Sequence, residues 1–371
     1  MIILKEVKSK KDQLDFVKFP LQLYKNCPYF APSLIIEELK NFDKNENPVY
    51  KHAWIKQFLA IKNNKVVGRI AALYNENETI MQNKPKMRFG WFDFINDEEV
   101  SKVLVTKIEE LAKEKNLTTI EGPMGFSNMD KAGMLTFGFD QMTTMISAYN
   151  YDYYPKHIEK LGYLKEKEWV EYIFNAPTDI SRISKMATII ENKHHLICKQ
   201  FKTKKDIEPY VNQLFELIEY SYGNLSTYVP LSKQQSEYYK KKYMEFIKPE
   251  WIKCIVDTEN KMVGFAIILP SYVKALQKAN GKLLPFGWLH LLKAQKTNSI
   301  GELILIGVIP EYRIKGVTAI LFREIYTLIH KIGIKVIESN PILIENKDSI
   351  SLWTQYNPIL HRKRNTFFKK I

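Results

Sequence analysis

Apolar and polar positions fall into two matching series along the chain. Met1-Ile2-Ile3-Leu4-Lys5-Glu6 reads as a strand. Trp54-Ile55-Lys56 opens an apolar stretch that turns at Asn63-Asn64 and resumes at Lys65-Val66-Val67-Gly68. Trp251-Ile252-Lys253 opens a second, which turns at Glu259-Asn260 and resumes at Lys261-Met262-Val263-Gly264. An apolar run, a polar turn and a second apolar run predict a β-hairpin in each case. The period then becomes helical over about 101–115, where Val103, Ile108 and Leu111 recur on one side, and over about 317–332, where Ile320, Leu321, Ile325 and Leu328 do so. Each helix leads into a short strand that reads Ile-Glu and then breaks at proline: Ile120-Glu121-Gly122-Pro123 and Ile337-Glu338-Ser339-Asn340-Pro341.

Each half thus reads hairpin, strand, helix, strand. A strand-helix-strand unit implies a parallel crossover, so the expected class is α/β with a mixed sheet. The division falls between Tyr172 and Lys199, near Asn175-Ala176-Pro177-Thr178-Asp179, giving halves 1–177 and 178–371. Chance likeness of short hairpins is the alternative to a true repeat.

With 371 residues the chain is long enough for two cores. Its three cysteines, Cys27, Cys198 and Cys254, are far apart, which argues against a disulfide framework or a zinc knuckle and fits a reducing cytoplasm. The seven histidines show no metal spacing, and no metal is expected. No leader-like segment opens the chain, and the longest apolar stretch, Leu283 to Leu292, is well short of the roughly 18–20 residues that span a bilayer. A net charge of +14 favours anionic partners, although lysine is spread along the whole chain. Nucleic acid is not expected, because no zinc finger, glycine-aromatic RNA motif or clustered basic run is present.

The segment from Glu302 to Ala319 carries the most chemistry. An apolar strand ends at Val308-Ile309-Pro310-Glu311-Tyr312-Arg313, a short basic loop follows with Gly316, and Val317-Thr318-Ala319 opens the long helix. Such a helix start offers free N–H groups and a positive dipole end to a pyrophosphate. Gly316 allows close backbone approach, and Arg313 and Lys315 add charge. An ordinary basic strand-to-helix turn is the plainer reading. In the first half, Phe89 to Phe94 runs instead into Asn96-Asp97-Glu98-Glu99, where acidic side chains would repel a phosphate.

This segment resembles the acyl-CoA loop of the GNAT superfamily, which reads Arg/Gln-x-x-Gly-x-Gly/Ala; Thr318 stands where a second small residue is usual. The resemblance implies tandem GNAT-like folds, the first degenerate and shaping the substrate cleft, the second binding acyl-CoA or acetyl-CoA through Ile306, Gly307, Val308, Arg313, Ile314, Lys315, Gly316, Val317, Thr318 and Ala319. It implies an N-acyltransferase. The runs Glu121 to Asn128, Gly138-Phe139-Asp140 and Tyr149 to Tyr154 look like a ceramide-synthase-like bacterial subgroup, which implies a long-chain acyl group and a sphingoid-like lipid amine. The alternatives are a small-amine acetyltransferase and a non-catalytic acyl-CoA-binding module.

Acyl transfer from a thioester to an amine requires loss of an ammonium proton, donors for the oxyanion and stabilisation of the departing thiolate. No Ser-His-Asp or Cys-His set is visible, so direct attack is expected. Glu338 is the candidate base and Asn340 a hydrogen-bonding partner; structural pairing of Glu338 with a lysine is the alternative. The family often places a tyrosine acid seven residues past an asparagine. Counting from Asn346 gives Trp353, which makes Tyr356 the nearest phenol. Glu121, Asn128, Tyr149 and Tyr153 are candidate acceptor-lining residues, though aromatic clusters more often form core. Finally, Tyr272 to Lys296 sets apolar residues among lysines, which suits either contact with an anionic membrane at its inner face or an amphipathic helix packed on the sheet.

Overall fold

A computed structural model describes every residue except Gln82 and Asn224, together with the side chains of Ile80 and Met81. The first half supplies β1 (Ile2–Glu6), β2 (Ala53–Lys62), β3 (Lys65–Asn75), β4 (Lys86–Phe94), β5 (Thr119–Gly122), β6 (Met134–Phe137) and β7 (Leu164–Asn175). The second supplies β8 (Ile197–Lys199), β9 (Ile252–Val256), β10 (Met262–Pro270), β11 (Ile300–Val308), β12 (Val336–Ser339), β13 (Ile342–Leu343) and β14 (Ile359–Lys370).

Both expected hairpins form. Asn63 and Asn64 turn the first with φ of 51° and 59°, and Asn260 sits at 62° in the second. Asparagine tolerates this left-handed conformation, which two-residue hairpin turns need. The long helices span Glu98–Glu114 and Val317–Ile332. Both crossovers are parallel, β4 beside β5 and β11 beside β12. On the first helix the buried stripe includes Val100, Leu104, Ile108 and Leu111, leaving Val103 half-buried at its margin.

All strands join one sheet in the order β1-β2-β3-β4-β5-β14-β7-β12-β11-β10-β9-β8, with β6 and β13 pairing to β14 and β7 off this path. The order reads almost the same from either end. The strand that closes each half lies beside the other half: β7 pairs with β12, and β14 pairs with β5. A contiguous cut in sequence is therefore not a contiguous cut in space. Two main apolar cores follow the same plan. One lies under Val317–Ile332 against β9 to β12, the other under Glu98–Glu114 against β2 to β5. A smaller third cluster gathers Phe16, Val17, Phe42 and Leu59.

The centre of the sheet, where β7 and β14 lie between β5 and β12, carries buried charge beside apolar side chains such as Val170, Phe174 and Phe367. Glu171, Arg362 and Arg364 are each fully buried there.

Candidate functional site

In β11, Glu302 is the lone acid in an otherwise apolar strand, and it lies in register with Glu338 of β12. Paired residues of neighbouring strands point to the same face. Leu303 and Ile337 point to the other face, where they meet Phe322, Ile325, Tyr326 and Trp353 in an apolar crevice. The two carboxylates thus share the face that the first half covers with residues 138–150.

Their surroundings differ. Glu338 Oε2 accepts a hydrogen bond from Arg362 Nη2 at 2.9 Å, and His361 Nε2 lies 3.9 Å from Oε1. Arg362 also donates from Nε to Glu171 at 2.7 Å and from Nη1 to the Met142 carbonyl, while Arg364 donates to the second oxygen of Glu171 at 2.5 Å. Burial pushes the Glu171 carboxyl up, but Arg364 and Arg362 outweigh it and hold it below its ordinary value. Burial, together with Arg362, also lowers the pKa of His361. Among the described residues, Glu302 forms no ion pair. It accepts from Ser271 Oγ at 2.6 Å and from the Met145 N–H at 3.1 Å. Burial, against the pull of Ser271 and aided by the nearby Glu338 charge, pushes Glu302 up to about 7.

Directly beyond this pair the strands part. Pairing between β11 and β12 ends at Leu303 and Ser339, while β11 runs on to Val308. The open edge is met by side chains. Asn340 Nδ2 donates to the Ile304 carbonyl; its Oδ1 is buried with no partner among the described residues. The Tyr222 hydroxyl donates to Ile306 O at 3.1 Å and accepts from Ile306 N at 3.4 Å. Ser221 Oγ is another buried polar atom without a partner among the described residues. Gly307 is needed here, since an added Cβ would stand 2.5 Å from Phe265 and 2.6 Å from Ser221 Oγ.

Past Val308 the loop turns onto the helix. Arg313 Nε donates to the Val308 carbonyl at 2.9 Å and Nη1 reaches Asp348 at 3.3 Å. Lys315 Nζ lies 3.8 Å from the centre of the Tyr312 ring, and Ile314 is 91% exposed. Gly316 caps the helix at φ +77° with no side-chain hydrogen bond, so Val317, Thr318 and Ala319 form an uncapped first turn. An open strand edge, a glycine turn and an uncapped helix start together offer backbone groups and a positive dipole end to an anionic ligand.

The remaining expected residues lie apart from this cluster. Tyr356 sits on the crevice side, stacked on Phe174 at 5.4 Å and edge-on to Phe322 and Tyr326. Glu121 is buried against Lys86 at 2.5 Å and accepts from Thr366. Asn128 is exposed and ties Thr227 and the Val229 N–H to the first half. Tyr149 and Tyr153 donate to the Phe139 and Phe94 carbonyls inside the first-half aromatic cluster. Among the described residues, no group of three or more His, Cys, Asp and Glu side chains could hold a metal ion, and no helix is long and apolar enough to cross a membrane.

This geometry is that of the tandem GNAT fold. The tandem GNAT protein from the clavulanic acid biosynthesis pathway superposes over 100% of this chain and 98% of its own, with a TM-score of 0.56 at 10% identity. In sequence the chain is similar to Protein YghO of Escherichia coli (strain K12), 25% identical over 85% of this chain and 82% of that protein. It is also similar to a protein of Caulobacter vibrioides (strain NA1000 / CB15N) named bacterial ceramide synthase, 23% identical over 83% of this chain and 80% of that one. No family model matches the chain.

Glu302 was not among the residues expected from sequence. The signal for it is a single carboxylate directly before the run Leu303-Ile304-Leu305-Ile306-Gly307-Val308, seven positions before the loop that begins at Ile309. A buried acid in a central strand is costly unless it has a role or a partner.

Proposed function

We propose that the chain is an N-acyltransferase that moves an acyl group from acyl-CoA to a primary amine in the second half. The observation that carries this reading is the parting of β11 and β12 immediately beyond the in-register pair Glu302 and Glu338. In this reading the pantetheine arm lies along Ile304 to Val308, displacing the Tyr222 hydroxyl from Ile306, and its pyrophosphate rests on the Gly316 turn beside Arg313 and Lys315. The unpartnered Asn340 Oδ1 accepts an N–H of the arm or of the amine.

Glu302 takes the ammonium proton. With a pKa near 7 it is neither permanently ionised nor permanently protonated at neutral pH, which is what a general base needs. Glu338, ion-paired to Arg362, lies beside Glu302 and adds to the effect of burial in raising the proton affinity of Glu302. The free amine then attacks the thioester carbonyl, the C–N bond forms, the C–S bond breaks and the CoA sulfur leaves with the electron pair; the proton that the nitrogen sheds as it becomes an amide balances the one that the thiolate takes up, giving amide and CoA thiol.

The acceptor is a long-chain lipid amine and the donor a long-chain acyl-CoA. Similarity to the Caulobacter vibrioides ceramide synthase supports both assignments. Purified protein incubated with palmitoyl-CoA or acetyl-CoA and a sphingoid base tests the reading. Amide formed faster from palmitoyl-CoA is the expected result. Amide formed only from acetyl-CoA would replace the lipid assignment with small-amine acetylation, and no amide from either would contradict the enzyme reading.

A further inference from the structure

The link from β10 to β11, residues 271–299, folds into two helices, Val273–Ala279 and Gly287–Lys296. Its ends are tied where Asn298 Nδ2 donates to the Ser271 carbonyl at 2.6 Å. Leu291 and Ala294 of the second helix pack on the second-half core. The opposite side faces water with large apolar groups: Leu284 is 76% exposed, Phe286 67%, Trp288 44%, Leu289 45% and Leu292 44%. Five large exposed apolar side chains within nine residues of one link mark a contact site better than scattered surface residues do.

Charge narrows the choice of contact. Lys274, Lys278, Lys282, Lys293 and Lys296 all lie in this link and all are exposed, and no Asp or Glu occurs anywhere between Ser271 and Ser299. An apolar cleft on a second protein would account for the leucines and aromatics but gives no reason for the absence of acid. A surface that is anionic at its face and apolar beneath accounts for both. Trp288 has the matching form, an apolar ring whose Nε1 is satisfied locally by the Pro285 carbonyl at 2.9 Å.

We infer that this link docks on an anionic lipid bilayer, with Phe286, Trp288, Leu289 and Leu292 entering the interface and the lysines lying against the lipid phosphates. The inference stands on surface chemistry and does not require the acyltransferase reading. The docked link also bears on the carboxylate pair, because Ser271 at its base is the residue that bonds Glu302.

Flotation of the full-length chain with vesicles tests this. Phosphatidylcholine–phosphatidylglycerol vesicles should carry the protein, and phosphatidylcholine alone should bind it at least about tenfold more weakly, as should added salt. Phe286→Ser with Trp288→Ser should weaken binding to the mixed vesicles by about tenfold or more. Lys293→Gln with Lys296→Gln should weaken it less and flatten its salt dependence. All four positions are exposed, and an unchanged melting temperature checks that the variants fold. Failure of the unmodified protein to prefer anionic vesicles would overturn the inference, as would binding that the Phe286 and Trp288 changes leave intact. Sedimentation velocity without lipid covers the other occupant: a dimer that the same changes dissolve would assign the surface to a second copy and overturn it as well.

Discussion

The two halves follow one plan up to the long helix and then treat the same place in opposite ways. In the first half, Asp97 caps Glu98–Glu114, accepting from the Glu99 N–H at 3.0 Å, with Glu98 and Glu99 in the first turn. A carboxylate thus already occupies the positive end of this helix. In the second half, Gly316 caps Val317–Ile332 with no side chain, and Arg313 and Lys315 stand beside it. The strand edges differ likewise. Beyond Arg88 and Glu121, the Met124 N–H donates to the Phe89 carbonyl at 2.8 Å and closes the gap with backbone. An added Cβ at Gly90 would stand 2.5 Å from the Met124 carbonyl, which leaves no room for a third strand-like arm. Beyond Glu302 and Glu338, among the described residues, the Asn340 and Tyr222 side chains bond the free edge of β11. One carboxylate position also changes sign between the halves: Arg88, ion-paired to Glu78, stands where the second half has Glu302. The lesson is that two halves can share a packing plan while differing in charge and in backbone pairing at matching positions.

Several changes break this asymmetry, and the largest is Glu302→Gln. It should lower kcat by about 10²–10⁴ with little change in KM, whereas Arg88→Gln in the first half should leave kcat within a few-fold in steady-state assays of the folded protein. Arg362→Met should come next. It strips a buried charge partner from both Glu171 and Glu338 and should cost about 3–5 kcal/mol in denaturant unfolding. Arg313→Ala with Gly316→Asp should weaken acyl-CoA binding by about tenfold or more in titration calorimetry, since it puts a carboxylate where the first half has one. Asp97→Ala should be smallest, about 1 kcal/mol of stability through the lost cap and no change in acyl-CoA affinity.

Much of the plan was legible because it rests on local chemistry. Asn63-Asn64 turns a hairpin, Ile320, Leu321 and Ile325 bury one side of a helix, and the two Ile-Glu strands occupy matching sheet positions. What sequence could not display was the exchange of β7 and β14, because pairing between residues such as Ile173 and Ile359 depends on closure over most of the chain. That exchange decides the site. It brings Arg362 to Glu338 and lays Met142 and Met145 of the first half over the second-half carboxylates. Glu338 therefore has an arginine partner from β14, and Glu302 emerges as the acid facing only neutral donors. Tyr149 and Tyr153 went the other way: aromatic residues at close spacing built the first-half core, with their hydroxyls satisfied by nearby carbonyls.

A further consequence concerns stability. A carboxyl whose folded pKa is raised stabilises the fold fully below its ordinary value and loses that contribution as pH rises through about 7. Glu302→Gln should therefore gain on the unmodified protein between about pH 4.5 and 7, by up to roughly 3 kcal/mol.

The most direct test is the pH dependence of amide formation from palmitoyl-CoA and a sphingoid base, followed by mass spectrometry for the unmodified protein and for Glu302→Gln. The account predicts a rate that rises through about pH 7 and levels off in the first, and a rate lower by about 10² or more, without that inflection, in the second. Equal rates in the two proteins, or an inflection that survives the substitution, would contradict the assignment of the proton acceptor to Glu302.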